Sequence, residues 1–475
     1  MARKLNLLAF DLGASNGRAI IGQYDGTKIE LLEVHKFPNG AENINGHLYW
    51  NILDLYAQIK TGLMKANQAV DRIDSLGIDT WGVDYGLLDE NDNLMGNPYH
   101  YRDKRTDGLL DEIFTKVSAD EIYANTGIQF MQINTLIQLY AERKYRPWML
   151  ENAKSLLFIP DLLNFFLTGK KYNEYTIAST SQMCNPQTFA WAEPLFAKLN
   201  LPLDIMQDII FPGEVIGTIT ENIKQQTGVN YDIPVIAVGS HDTASAVAAT
   251  PLTDSENSIY ISSGTWSLLG MELPEPVINE LSQKENFTNE GGVNKTVRFL
   301  KNISGLWLIQ ECRRIWNRDG MDLSWSDISQ AAEKAPLKAI IDPDDPRFLS
   351  PENMPEAIAA YCRETNQDVP ETYGEMARTV YESLAVSYKM TIERLEQMIG
   401  RKIETIHMVG GGIQAEILCQ FTANITGRKV ITGPIEATAM GNILAQLMAK
   451  GEIKNLEEGR ELIRNSVELK TYLPQ

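Results

Sequence analysis

Apolar and polar positions near the start of the chain alternate in a way that predicts three short strands followed by a helix and a further strand. The three strands are LNLLAF, GRAIIGQY and KIELLEVHKF, and the turn residues DLGASN and DGT separate them. The next segment, ILDLYAQIKTGLMKANQAV, has the spacing of an amphipathic helix. Its predicted apolar face consists of Leu53, Tyr56, Ile59, Leu63 and Met64. A strand that ends at Asp79 and Thr80 follows.

The second half of the chain repeats this order of elements. SIYISSGTWSLLGMEL predicts two strands joined by a turn, and apolar residues recur at helical spacing from Tyr373 to Ile399. The strand TIHMV then leads into glycines, and the helix AEILCQFTANIT, the strand KVIT and the helix TAMGNILAQLMAK complete the pattern. The shared order predicts a duplicated α/β unit. We place the seam at AATPLTDSEN, which gives one domain at residues 1–248 and another at residues 254–475.

Length and charge narrow the possible partners. A chain of 475 residues exceeds what one hydrophobic core usually organises. Its 62 acidic and 43 basic residues give a net charge of −19, which argues against nucleic acid and anionic membranes as partners. The four cysteines are far apart, and neither a secretory signal nor a membrane span is evident. We expect a cytoplasmic monomer or homodimer with reduced cysteines.

Three turns have the composition of phosphate-binding loops: residues 11–18 (DLGASNGR), 262–267 (SSGTWS) and 410–414 (GGGIQ). Glycine and serine let backbone donors approach an anion closely, although ordinary hairpins use the same residues. The chain lacks the G-x-x-x-x-G-K-[ST] loop of P-loop ATPases. The glycines at 410–412 also match a loose dinucleotide fingerprint, with Glu436 as the ribose acid. A dehydrogenase therefore remains an alternative.

The segment AVGSHDTASAV places a single acid, Asp242, between an apolar run and a helix-forming run. Ser240, His241 and Asp242 are consecutive, so they cannot face one another as a hydrolase triad. The scattered histidines show no zinc-ligand spacing. Two compatible roles remain for Asp242, which are capping of the helix and general base catalysis at the carboxyl end of a strand.

Nine motifs together resemble the FGGY carbohydrate kinases. They are FDLGASNGR, IDTWGVDYGLLD, YRDKRTDG, IPDLLNFFLTG, VGSHDTASAV, SSGTWSLLG, NEGG, KNISGLWLIQ and VGGGIQ, and they extend from about Leu7 to Leu447. The resemblance implies an α/β fold of two duplicated ribonuclease H-like domains of the actin/hexokinase superfamily, with a catalytic cleft between them. The residues Trp81, Gly82, Val83 and Asp84 differ from the corresponding segments of glycerol and xylulose kinases.

The resemblance further implies transfer of the γ-phosphoryl group of MgATP to the 1-hydroxyl of L-rhamnulose. Asp242 is the implied general base. The implied sugar-binding residues are Gly82, His241, Asp242, Thr243 and Asn302. We also expect Trp81 to form an apolar wall for the methyl group of the sugar, with ordinary core packing as the alternative.

The implied ATP-binding residues come from the phosphate-type turns and from one helix. They are Ala14, Ser15, Asn16, Gly17, Arg18, Thr265, Gln310 and Gly411. Asp11 is expected to contact Mg²⁺ through water, because Mg²⁺ keeps several waters and takes few carboxylates. Two other interpretations stay open, which are a kinase of a related ketose such as L-fuculose and a non-catalytic, actin-like nucleotide-binding protein.

Overall fold

The structure is a computed structural model that describes residues 4–475. Its contacts divide the chain into two compact units, each built from several segments. The first unit comprises the chain up to Ala249 with Glu272–Phe299 and Thr438–Ser466, and the second comprises Thr250–Met271, Leu300–Ala437 and Val467–Gln475. The first segment ends at Ala249, and two later segments pack into the first unit. The domain bounds 1–248 and 254–475 stay a prediction.

The first unit is organised around a six-stranded sheet. The strand Leu5–Leu12 is near its centre, antiparallel to Asn16–Tyr24 and parallel to Ser75–Thr80. The strand order is Val215–Thr218, Pro234–Ile236, Ser75–Thr80, Leu5–Leu12, Asn16–Tyr24 and Ile29–Pro38. Parallel strands at the centre direct their carboxyl ends to one edge of the sheet, where ligands bind in open α/β folds.

A seven-stranded sheet repeats this pairing. The strand Ser258–Ser263 is antiparallel to Trp266–Leu273 and parallel to Thr405–Val409. The strand order is Thr288–Gly291, Val297–Ser304, Trp266–Leu273, Ser258–Ser263, Thr405–Val409, Lys429–Thr432 and Lys470–Tyr472. Both sheets therefore have a central strand with an antiparallel hairpin partner on one side and a parallel partner on the other. The predicted duplication of an α/β unit is confirmed.

The helices that periodicity predicted are present within two residues of their expected ends. They span Ile52–Ala69, Tyr373–Ile399, Glu416–Thr426 and Ala437–Ala449. The predicted apolar face of the first was partly wrong, because Leu53 and Met64 are exposed. Its buried residues are Ile52, Leu55, Ile59, Gly62, Leu63 and Ala66. A Cβ atom at Gly62 would lie 2.7 Å from the ring of Phe10, so the helix packs closely on the sheet through this glycine.

Shorter elements connect these layers. The remaining α-helices are Leu109–Phe114, Ala119–Thr126, Thr135–Tyr145, Pro147–Asn152, Ile159–Thr168, Tyr175–Ser179, Glu193–Leu199, Glu221–Thr227, Asp242–Ala248, Glu280–Lys284, Trp307–Arg318, Trp325–Lys334, Met354–Glu364 and Leu456–Ser466. The short strands are Ala41–Ile44, His47–Trp50, Tyr85–Leu88, Ser155–Phe158, Asn173–Glu174, Cys184–Asn185, Ala190–Trp191 and Ile209–Ile210. Within residues 4–475, no helix has both the length and the apolar character needed to cross a membrane.

Candidate active site

Asp242 lies at the start of the helix Asp242–Ala248, beside the end of a parallel strand. The Thr80 N–H donates to the Ser240 carbonyl over 2.9 Å, and Thr80 forms a parallel bridge with His241. The Asp242 side chain is 31% exposed, whereas that of His241 is 10% exposed. The strand end therefore presents this carboxylate to solvent while its neighbour is covered.

The predicted helix-capping role of Asp242 was wrong. His241 occupies the N-cap position without a side-chain capping bond, and Asp242 is the first helical residue. Asp242 Oδ1 instead accepts from the backbone N–H of Thr243 at 2.5 Å and from Thr243 Oγ1 at 3.1 Å. These two bonds fix the carboxylate next to the open end of the helix, where the helix dipole favours negative charge.

Four of the five predicted sugar-binding residues lie together. A Cβ atom at Gly82 would be 3.3 Å from His241 Nε2 and 3.1 Å from Thr180 Oγ1, so the backbone of Gly82 lies against the His241 ring. Asp242 and Thr243 follow directly in the chain. Asn302, the fifth, lies on the strand Val297–Ser304 and belongs to the second unit.

The segment that carries Asp242 is anchored by a buried carboxylate that the sequence analysis did not identify. Glu174 Oε2 accepts from the Ser240 N–H at 3.2 Å, and Thr176 Oγ1 accepts from the His241 N–H at 3.2 Å. Glu174 is fully buried, and burial raises the pKa of this carboxyl from 4.5 to about 7. Its partners lie far away in sequence, so no local pattern signals its role.

The first phosphate-type turn is closed by backbone bonds. The Gly13 N–H donates to the Asn16 carbonyl at 2.9 Å, and Ser15 and Asn16 are exposed at the tip. Gly17 has a packing role, because a Cβ atom there would lie 2.2 Å from the Phe37 ring. Ala14, between the tip and the strand, is half-buried. The turn therefore exposes the backbone and side chains of Ser15 and Asn16 to a ligand.

A row of charged side chains lies across the strands beside this turn. Arg18 Nη2 donates to Asp11 Oδ2 at 2.6 Å, and Asp11 is the parallel register partner of Asp79. Burial, and then the negative charges of Asp11 and Asp242, raise the pKa of Asp79 well above its usual value. Asn442 opposes this rise by donating to Asp79 Oδ2 at 2.6 Å. The sequence analysis did not select Asp79 as a site residue, although Asp79 and Asp11 are each the next-to-last residue of their strands.

Trp81 packs in an aromatic cluster. Its ring centroid lies 3.8 Å from that of Trp50, and the side chain is nearly buried. Asp84 Oδ2 accepts from the indole N–H groups of Trp50 at 2.6 Å and Trp81 at 3.0 Å. Burial raises the pKa of Asp84 to about 6. The contacts agree with the core-packing alternative for Trp81, and its role as a wall for the sugar methyl stays a prediction.

The predicted nucleotide residues of the second unit occupy two turns and one helix. Thr265 lies between the strands Ser258–Ser263 and Trp266–Leu273, and its Oγ1 donates to Gln310 Oε1 at 3.4 Å. Gly411 begins a 3-10 turn that follows the strand Thr405–Val409.

The two turns of the second unit pack against each other. A Cβ atom at Gly412 would lie 2.1 Å from Ser263 Oγ, whereas one at Gly411 would meet nothing within 4 Å. The glycine turn therefore lies beside the turn that contains Thr265, and it presents an open backbone at Gly411.

Comparison with known proteins decides between the enzyme classes. The model of the FGGY family of carbohydrate kinases, N-terminal domain, matches residues 6–248, and that of the C-terminal domain matches residues 259–450. The chain belongs to the FGGY family of carbohydrate kinases. It is therefore a sugar kinase, and the glycines at 410–412 lie within its C-terminal domain. The dehydrogenase alternative finds no support.

Relatives of this FGGY kinase match it over nearly the whole chain. The rhamnulokinase of Bacteroides thetaiotaomicron is 46% identical over 473 residues, which cover 99% of this chain and 96% of the relative. The rhamnulokinase of Oceanobacillus iheyensis is 45% identical over 465 residues, which cover 98% of this chain and 97% of the relative. The resemblance to carbohydrate kinases that the nine motifs indicated is confirmed, and these relatives narrow the similarity to rhamnulokinases.

Solved structures confirm the two-domain fold. The ligand-bound xylulose kinase of Lactobacillus acidophilus aligns with a TM-score of 0.82 at 17% identity, over 99% of this chain and 94% of that one. The glycerol kinase of Plasmodium falciparum with ADP aligns with a TM-score of 0.79 at 16% identity, over 99% of this chain and 94% of that one. At such identities the similarity concerns the fold alone.

Proposed function

We propose that this enzyme transfers the γ-phosphoryl group of ATP to the 1-hydroxyl of L-rhamnulose and forms L-rhamnulose 1-phosphate. The main support for this substrate is the 46% identity to a rhamnulokinase over 99% of the chain. The geometry around Asp242 agrees with this chemistry, since a half-exposed carboxylate lies beside a histidine and a glycine backbone.

Asp242 is the proposed general base. Phosphoryl transfer depends mainly on alignment and charge stabilisation, and a base accepts the proton of the attacking hydroxyl. The bonds from Thr243 hold Asp242 Oδ1 in place. His241 and Thr243 contact the carboxylate, and Gly82 lies against His241. These three residues are proposed to orient the sugar, together with Asn302.

The phosphate groups of the nucleotide are proposed to contact the turn formed by Ala14, Ser15, Asn16, Gly17 and Arg18. Arg18 is held by Asp11 and brings a positive charge to a chain whose net charge is −19. We assign the remaining nucleotide contacts to Thr265, Gln310 and Gly411. The domains at 1–248 and 254–475 would accordingly carry most of the sugar contacts and of the nucleotide contacts, respectively.

Asp11 and Asp79 fit a Mg²⁺ site. They are neighbours on parallel strands, and Asp79 Oδ1 is buried without a hydrogen-bond partner among residues 4–475. Within the same residues, no group of three or more potential ligands surrounds a common point. One or two carboxylates suffice for Mg²⁺ that is bound mainly by water and phosphate. Bound Mg²⁺ supplies charge neutralisation to the phosphate oxygens.

A panel of sugars tests the proposed substrate. ADP release is measured with L-rhamnulose, L-fuculose, D-xylulose and glycerol, and the product is identified by ³¹P NMR. We expect kcat/KM for L-rhamnulose to exceed the other values by about tenfold or more, since stereochemical discrimination rests on a few hydroxyl contacts. A preference for L-fuculose would reassign the substrate. No turnover with any sugar would favour a non-catalytic nucleotide-binding protein.

A further inference from the structure

A buried ion pair lies behind His241, on the side away from Asp242. Arg298 is completely buried on the strand Val297–Ser304, and Glu290 is nearly so on the strand Thr288–Gly291. Arg298 Nη2 is 3.1 Å from Glu290 Oε2, and Arg298 Nε donates to the Gly291 carbonyl at 2.7 Å. The guanidinium is thus fixed in position and its charge is balanced.

The same guanidinium contacts the His241 ring. Arg298 Nη2 is 3.0 Å from His241 Nδ1. Arginine remains protonated in proteins and has only donors, so Nδ1 must accept this hydrogen bond with its lone pair. A neutral imidazole that accepts at one nitrogen carries its proton on the other. The contact therefore places the proton of His241 on Nε2.

His241 Nε2 faces the proposed base. It lies 3.5 Å from Asp242 Oδ1, and 3.3 Å from the position that a Cβ atom at Gly82 would take. The N–H on Nε2 is consequently near the carboxylate and near the backbone where we place the sugar. In this state His241 can donate a hydrogen bond but cannot accept the proton of a hydroxyl group.

Charged groups approach the ring from three elements. Asp242 belongs to the helix that begins directly after His241. The other two charged groups, Glu290 and Arg298, lie on neighbouring strands. Glu290 Oε2 is 3.4 Å from His241 Nδ1. The contact from the helix Tyr175–Ser179 is uncharged, since Thr176 Oγ1 accepts a hydrogen bond from the backbone N–H of His241. Arg298 is nearer to Nδ1 than Glu290 is, so it determines which ring nitrogen is protonated.

We propose that Arg298 and Glu290 are positioning residues that hold His241 as a neutral Nε2–H donor beside Asp242, so that Asp242 and not His241 accepts the hydroxyl proton. This inference rests on the proposed function, in which Asp242 is the base. Glu290 acts by fixing the guanidinium and by balancing its charge. Neither residue is expected to touch the sugar.

The first test is independent of activity. Long-range ¹H–¹⁵N NMR of the full chain reports which imidazole nitrogens carry protons, and loss of one signal set in His241→Gln assigns the residue. We expect a ring that carries its proton on Nε2 alone at about pH 8, because the contact from Arg298 requires a lone pair on Nδ1. A proton on Nδ1 at this pH, in a neutral ring or in an imidazolium, would overturn the inference. Either result leaves the role of Asp242 to be judged separately by Asp242→Asn.

A pair of variants tests the function of the contact. In Arg298→Met, Glu290 becomes the nearest partner of His241 Nδ1, so the proton moves to Nδ1 or the ring becomes charged. We expect kcat to fall about 10²-fold, as for a small misplacement of catalytic groups, with KM for ATP unchanged. In Arg298→Met/Glu290→Gln the introduced amide can again donate to Nδ1. This double variant should recover about tenfold in kcat, a non-additive effect expected for groups in contact.

Arg460→Met is the matched control. Arg460 also forms a buried pair, with Glu272 at 2.6 Å, and donates to the Val247 carbonyl at the far end of the helix that begins at Asp242. We expect a comparable loss of thermal stability, with kcat and the His241 signals unchanged. If Arg298→Met and Arg460→Met reduce kcat alike, or if Arg298→Met retains the Nε2–H form, the inference is wrong. If Arg298→Met does not fold, the NMR result for the unsubstituted protein decides.

Discussion

Although Gly82 has no side chain, little free space surrounds its α-carbon. A methyl group there would lie 3.1 Å from Thr180 Oγ1 and 3.3 Å from His241 Nε2, which is closer than ordinary packing contacts. Both neighbours are buried and would have to move by a few tenths of an ångström. The position therefore controls the placement of the His241 ring, and in the proposed site it would also control access for the sugar.

We predict that Gly82→Ala raises KM for the sugar and lowers kcat/KM by about tenfold or more, because a displaced His241 misaligns the groups around Asp242. KM for ATP should stay unchanged. Steady-state kinetics with each substrate varied in turn measure this. Gly40→Ala is the control, since a Cβ atom at Gly40 would meet nothing within 4 Å. Equal kinetics for the two variants would contradict a role for Gly82 in placing His241 beside the sugar.

At the level of elements, the buried residues Glu174 and Thr176 hold the turn that precedes Asp242. The pKa of Glu174 is raised from 4.5 to about 7 by burial, so the folded protein keeps a proton that the unfolded chain releases between these values. The contribution of this group to stability is complete below about pH 4.5 and is lost as the pH rises through about 7. Deprotonation leaves a buried negative charge on Glu174. This carboxylate accepts four hydrogen bonds, one of them from the N–H of Ser240.

Glu174→Gln should therefore flatten the dependence of the free energy of unfolding on pH. Between about pH 5 and 8 the decline in the free energy of unfolding that is attributed to Glu174 is about 2.5 kcal/mol, and it should disappear in the variant. Denaturant unfolding across this pH range measures the effect. Glu221→Gln, at the exposed start of the helix Glu221–Thr227, is the control and should keep the original slope. An unchanged slope in Glu174→Gln would be evidence against this pH-dependent role.

The elements themselves were largely predictable, because alternation, helical spacing and turn residues are local properties of the sequence. The helix Tyr373–Ile399 and the strand Lys429–Thr432 begin and end as predicted. The apolar face of Ile52–Ala69 was assigned to the wrong residues in part, because Ile52, Leu55 and Ala66 pack inward instead of Leu53 and Met64. Periodicity identifies a helix more reliably than it identifies the face that meets the sheet.

The support of the candidate site was not predictable in the same way. Glu174 contacts Ser240 across 66 positions, and Arg298 contacts His241 across 57. Such contacts depend on the packing of distant strands. Asp242, His241 and Gly82 could be proposed from the sequence because they lie at strand ends or in motifs shared with a family.

At the level of the whole molecule, the two units differ in their cysteine content. Cys184 lies in the first unit, whereas Cys312, Cys362 and Cys419 lie in the second, and all four are buried free thiols. Burial raises the pKa of each thiol, and the thiolate is the form that reacts. Labelling of these thiols therefore reports the opening of each unit separately.

We predict that a thiol reagent leaves the native protein unlabelled over times in which the denatured protein reacts at all four positions. Mass spectrometry of labelled peptides at increasing denaturant should assign Cys184 to opening of the first unit and the other three to opening of the second. Added reductant should not change Tm. Rapid labelling of any cysteine in the native protein, or a lower Tm with reductant, would contradict the burial and the free state of the thiols.

The substitution Asp242→Asn tests the central claim most directly. The amide keeps the size of the side chain but cannot accept the hydroxyl proton, so phosphoryl transfer to L-rhamnulose should fall by about 10²–10⁴-fold. Titration calorimetry should find that ATP and the sugar still bind with nearly unchanged affinity. Near-normal transfer by Asp242→Asn would show that Asp242 is not the base.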